Sequence, residues 1–214
     1  MSRLLILGAG GHAKVVAETA IATGQFSEVA FLDNCCSGPD QRSSVLGFPV
    51  LGPLALALEP AHREQFASAA VAFGNATARL NWIEQLDAAG YGLPVLIHPT
   101  AWVSQSAQIA SGSVVFAQAA VQAQATIGAG AILNTGCSVD HDAQLAGAVH
   151  ICPGARLAGE VQVGARSWVG IGASVIQQVR IGSDVTVGAG AAVVRDLPDG
   201  VTAVGVPARV LFKT

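Results

Sequence analysis

Asp140-His141-Asp142, followed nine residues later by His150, concentrates proton-transfer side chains in a stretch that otherwise carries almost nothing reactive. An imidazole between carboxylates suits general-base work, because a nearby anion raises its proton affinity and fixes its ring. The alternative is an exposed corner histidine without a role, and the clustering argues against it. Cys137 and Cys152 lie in the same stretch, but no CxxC or zinc spacing is present, and four reduced thiols fit a cytoplasmic protein.

A second chemical signal stands near the start. Leu4–Leu7 runs into Gly8-Ala9-Gly10-Gly11-His12-Ala13, which fits G-x-G-x-x-A, with Asp33 placed 25 residues after Gly8. This is close to the Rossmann fingerprint, in which backbone N–H groups at a helix N-terminus receive a pyrophosphate. A segment of about 94 residues supplies only one mononucleotide-binding half. A nucleoside diphosphate or its sugar conjugate therefore fits better than a dinucleotide. Asp33 and Asn34, at a strand's carboxyl end, could meet a base or ribose. The competing explanation is that the glycines merely allow close helix–strand packing.

The elements that must position these groups follow from periodicity. Every sixth residue from Ile97 to Val193 is Ile, Leu or Val, and the residue four after each of these heads is small or aliphatic and never charged. Neither a 3.6 nor a 2.0 period explains that pattern. Hexapeptide repeats build a parallel β-helix with three sides per coil. The heads point inward, and the small residues fit the corners. Residues i and i+18 then stack about 4.8 Å apart. His141 falls over Gly159, His150 under Trp168, and Asp142 below Glu160. The spacings among His98, His141 and His150 do not bring three imidazoles together, so no metal is expected. Stacked Thr rows of an ice-binding face are also absent.

Upstream of the repeats, strands at Leu4–Leu7, Val29–Leu32 and Ala70–Phe73 alternate with helices near 12–23 and 76–89, which implies a small parallel sheet. The chain thus divides into an α/β half-Rossmann-like domain (1–94), a β-helix (95–197) and a capping tail (198–214). The 214 residues carry a net charge of −3 and only 12% charged residues. No basic footprint for nucleic acid appears, and no apolar run reaches the ~20 residues of a membrane span. The residues before Leu4 are too few for a signal peptide.

Gly10-Gly11-His12, Phe31-Leu32-Asp33-Asn34, Ile97-His98-Pro99-Thr100, Asn134-Thr135-Gly136, Val139-Asp140-His141-Asp142 and Gly205-Val206-Pro207-Ala208 together resemble the sialic-acid O-acetyltransferase-like sugar acyltransferases. Within that group the chain is most similar to the nucleotide-linked 4-amino-sugar N-acetyltransferases of bacillosamine and perosamine synthesis. The resemblance implies a left-handed β-helix and a cytoplasmic homotrimer with acetyl-CoA in the grooves between neighbouring helices. It implies that His141 is the general base and that Asp142 raises its basicity. His150, Gly159, Ile171 and Ala189 would meet acetyl-CoA, while Gly10, Gly11, His12, Asp33 and Asn34 would hold the nucleotide sugar. O-acetylation of a sugar hydroxyl and a non-catalytic nucleotide-sugar-binding scaffold are the alternatives.

Overall fold

The computed structural model describes residues 2–36 and 43–211. The chain forms two compact units, Met1–Pro99 and Thr100–Thr214.

In the first unit, strand β1 (Ser2–Leu7) is followed by helix α1 (Gly11–Ala22), β2 (Phe26–Leu32), a short hairpin of β3 (Ser44–Val45) and β4 (Phe48–Gly52), helix α2 (Pro60–Gln65), β5 (Ser68–Val71) and helix α3 (Ala76–Ala88). The sheet order is β3-β4-β2-β1-β5, parallel except for the hairpin. Leu4, Leu5, Ile6 and Leu7 are all fully buried, as a central parallel strand covered on both faces requires. Helix α1 buries Ala13, Val16, Ala17 and Ala20, a helical stripe of small side chains that lets it lie close to the sheet. On α3 the Asn75 side chain caps the helix, its Oδ1 accepting from Ala78 N–H at 2.8 Å.

The hairpin and α2 have no counterpart in the sequence reading. The turn Leu46-Gly47 has positive φ at both residues (+53° and +80°), the two-residue type of hairpin turn. A leucine in that conformation is rare, so the usual Asn-Gly signal is missing.

The second unit is a left-handed parallel β-helix made of two-residue strands. Three stacked sheets form its sides, and each strand pairs in parallel with the one eighteen residues away, as Ser138↔Arg156, Gln144↔Gln162 and His150↔Trp168. The sides are called here the Ser138, Gln144 and His150 sides. From Val115 to Val193 every sixth-residue head is at most 4% exposed, and the corner residues Ala119, Cys137, Ala155 and Ala173 are at most 1% exposed. Each buried Val, Leu or Ile contributes about 1.5–3 kcal/mol, so the repeat itself holds the prism together. From Ile109 to Val187 the residue three after each head turns the corner in the left-handed region, by glycine at Gly136 and Gly154 but by Asp142 (φ +57°) and Glu160 (φ +61°) near the histidine. Beyond the last coil, Thr202–Val204 pairs with Thr186–Val187 and folds back against Arg209–Leu211, which covers an otherwise open edge.

Candidate active site

His141 stands at the corner between the Ser138 and Gln144 sides. Its Nδ1 lies 2.8 Å from Asp142 Oδ2, and its backbone N–H donates to Asp140 Oδ1 at 2.8 Å. The left-handed turn at Asp142 is tolerated by aspartate better than by most side chains. A carboxylate can only accept, so the ring proton sits on Nδ1 and Nε2 carries the lone pair. The hydrogen bond to Asp142, reinforced by the charges of Asp140, Asp142 and Glu160, raises the His141 pKa above the ordinary imidazole value. The ring itself is half exposed.

Gly159, one coil above, explains where Nε2 lies. A Cβ on Gly159 would fall 2.5 Å from His141 Nε2 and 2.6 Å from Cε1. The imidazole occupies the volume that any side chain at 159 would take, and Gly159 is buried beneath it.

His150 lies on the His150 side, facing away from that corner. Nine residues is half of an eighteen-residue coil, so the two histidines leave the prism in different directions. The sequence grouped them in one strip, and the three-sided coil separates them. Ile171 and Ala189, both exposed and one coil apart, share the corner that follows the His150 side. The expected acetyl-CoA residues therefore divide, with Gly159 beside His141 and the other three on and beside the His150 side.

Two residues that the sequence reading left out of the site complete the His150 environment. Asn134 Oδ1 accepts from Thr135 N–H at 2.9 Å, which turns its Nδ2 toward His150 Nε2 at 3.1 Å. An amide NH2 only donates, so Nε2 of His150 accepts and the ring proton is on Nδ1. Trp168 stacks on the ring with centroids 5.4 Å apart and planes 7° from parallel. The eighteen-residue register gave the Trp168 neighbour; no spacing rule pointed to Asn134. Burial pushes the Cys137 thiol up to about 12 and Cys152 up to about 11, so both stay protonated at neutral pH, the wrong state for a nucleophile.

In the first unit, the glycines separate into two kinds. Gly8 has φ +104°, and a Cβ there would come 3.0 Å from Ala72 O, so packing demands glycine. Gly10 and Gly11 are exposed, and a Cβ on either meets nothing within 4 Å. Close packing against the backbone just beyond β5 accounts for Gly8 alone; the backbone at Gly10 and Gly11 lies open. The first turn of α1 has no acidic residue and no side-chain cap. His12 is held down to about 4 by burial and by the Arg79 guanidinium, so it is neutral. Arg79, itself buried, donates from Nη1 to the carbonyls of Phe73 and Gly74. Asp33 ties the turn together, Oδ2 accepting from Ala9 N–H at 2.7 Å and Oδ1 from Cys35 N–H at 2.8 Å. Asn34 Oδ1 accepts from Leu54 N–H at 3.1 Å. These last two side chains shape the rim of the glycine turn through backbone contacts.

Residues 3–86 match the PglD N-terminal domain family. The acetyltransferase domain of PglB from Neisseria gonorrhoeae is 48% identical over 99% of this chain and 100% of that one, with a TM-score of 0.93. Its complex with acetyl coenzyme A is 49% identical over 98% of both chains, with a TM-score of 0.91. The H141N mutant of perosamine N-acetyltransferase from Caulobacter crescentus, in complex with CoA and GDP-perosamine, is 41% identical over 100% of this chain and 98% of that one, with a TM-score of 0.92. No curated protein sequence matches the chain.

Proposed function

The chain belongs to the hexapeptide-repeat sugar N-acetyltransferases that include the PglB acetyltransferase domain and perosamine N-acetyltransferase, and from that premise we propose that it acetylates the 4-amino group of a nucleotide-linked deoxy sugar with acetyl-CoA. The observation that carries this reading is the His141–Asp142 pair, whose free-standing Nε2 projects into the space left by Gly159.

The chemistry follows from that geometry. The sugar amine attacks the thioester carbonyl, and the new N–C bond forms as His141 Nε2 takes a proton from the nitrogen. Asp142 stabilises the resulting imidazolium. The backbone N–H of Gly159 is the candidate donor to the tetrahedral oxyanion. Collapse breaks the C–S bond, and the imidazolium returns its proton to the sulfur of departing CoA. No covalent enzyme intermediate is required. The nucleotide end is assigned to the glycine turn, where the N-terminal amides of α1 suit a pyrophosphate and Gly10 and Gly11 leave the approach open.

The division of the acetyl-CoA residues between two directions argues that one chain does not complete the site. A cyclic trimer sets the His141 corner of each copy against the His150 side of the next, a head-to-tail arrangement that closes on itself. Among the described residues no helix is long and apolar enough to cross a membrane, and the reading places the enzyme in the cytoplasm, where acetyl-CoA is supplied.

The test is to mix the protein with acetyl-CoA and UDP-, GDP- or dTDP-linked 4-amino-4,6-dideoxy sugars and to follow thiol release. Release with one nucleotide class, abolished when the amine is replaced by a hydroxyl, is expected. Clear nucleotide-sugar binding with no release from any amine would leave only the scaffold reading.

A further inference from the structure

Trp168 is half exposed at the outward position of its strand, in register between His150 and Thr186. Core formation does not ask for an indole there. Three contacts show what it does. Its ring lies parallel to that of His150, a consequence of adjacent coils placing equivalent side chains in line. Its Nε1–H donates to Sγ of Cys152, which is 1% exposed and is the residue that follows the buried head Ile151. The imidazole the indole covers is gripped on its edge by Asn134, whose amide is itself fixed by Thr135 N–H.

We propose that Trp168 is a positioning residue for acetyl transfer: stacked on His150, the indole clamps that ring in one plane, the plane in which Nε2 accepts from Asn134 and the proton stays on Nδ1. The proposal rests on the acetyl-transfer reading above. A free imidazole prefers its proton on Nε2 and rotates about χ2. Removing the indole uncovers one face of the ring, lets it leave the Asn134 amide, and loosens the group presented toward the acetyl donor.

The experiment uses the full chain labelled with 15N-histidine, the His150 signals being assigned by their loss in His150→Gln. In the wild type, His150 is expected as a single Nδ1–H tautomer. Trp168→Phe keeps a stacking face and retains that spectrum. Trp168→Ala turns it into a mixture of tautomers, and kcat for acetyl transfer falls about tenfold or more with the KM for the amino sugar unchanged. Trp168→Leu, bulky but without a ring face, takes its place if the alanine variant does not fold. An unaltered His150 spectrum in Trp168→Ala, or in Trp168→Leu where that variant replaces it, overturns the proposal. So does an altered spectrum with wild-type kcat, or a loss in Trp168→Phe as large as in Trp168→Ala. The tautomer measurement needs no substrate, so a wild-type protein that transfers acetyl to no amine would count against the acetyl-transfer reading and leave the clamp to be decided by the spectra.

Discussion

At the scale of single residues, the division of labour within one imidazole decides the chemistry. His141 Nδ1 is committed to Asp142, so every proton taken from substrate must go to Nε2. His141→Ala is expected to lose about 10²–10⁴ in turnover with the fold intact, as measured by thiol release and circular dichroism. The Asp142 contact also sets the pH range. The base works only when neutral, and its pKa is raised, so activity falls as the medium is acidified through a value above the ordinary 6.5 of histidine. In Asp142→Asn the largest cause of that rise is gone. The acidic limb of kcat/KM is then expected at lower pH, with a plateau below wild type but above that of His141→Ala. An acidic limb that stays in place would refute the assignment. Gly159 offers a sharper test. The atoms a Cβ would meet there belong to the tip of a half-exposed ring, which can move aside cheaply. Gly159→Ala is therefore expected to keep its thermal stability, yet to approach His141→Ala in its loss of turnover, because the ring can no longer stand where it must.

At the scale of elements, the glycine turn and α1 form a device distinct from the prism. Gly8 is needed by the fold, whereas Gly11 is the first residue of a helix with nothing above it. Alanine at a helical position is favoured over glycine by up to about 1 kcal/mol. Gly11→Ala should thus leave the melting temperature unchanged or raise it. If a pyrophosphate approaches this backbone, the same methyl group should raise the KM for the nucleotide sugar and leave kcat and the KM for acetyl-CoA alone. A variant with unaltered KM would remove the phosphate end from this turn. Asp33 shows how one side chain can define an element without being its reagent, since each carboxylate oxygen already holds a backbone N–H.

At the scale of the whole molecule, the half-coil offset between His141 and His150 is the dominant fact. Two groups on different sides of a rigid prism cannot converge by side-chain motion, and the β-helix has no hinge to bring them together. Under the proposed function, assembly brings them together. Mixed trimers test this directly. His141→Ala and His150→Ala chains, each expected to be inactive alone, are co-refolded in equal amounts. A head-to-tail site takes one intact half from each kind of chain, so about a quarter of the sites regain both groups. Activity returning to that level, together with a trimeric mass in sedimentation, is the expected outcome. Mixtures as inactive as their components would show that the site is not shared.

The unbroken six-residue run from Ile97 to Val193 determined the prism, its inward heads and the eighteen-residue stacking, because a period repeated so often admits one packing solution. It likewise placed His141 over Gly159 and His150 under Trp168. The first unit was less legible. Leu4–Leu7 and α1 carry clear patterns, but the Leu46-Gly47 hairpin rests on a conformation that leucine seldom adopts, and the six-residue α2 is too short to show a period. The tertiary structure alone decided three further things. Asn134 reaches His150 across sixteen residues of sequence, a contact set by two side-chain rotamers and by no spacing rule. Gly10 and Gly11 stand under open space, which a glycine in a string of letters cannot reveal. The two histidines, neighbours in the sequence, point apart because a coil has three sides and nine residues carry the chain halfway round it.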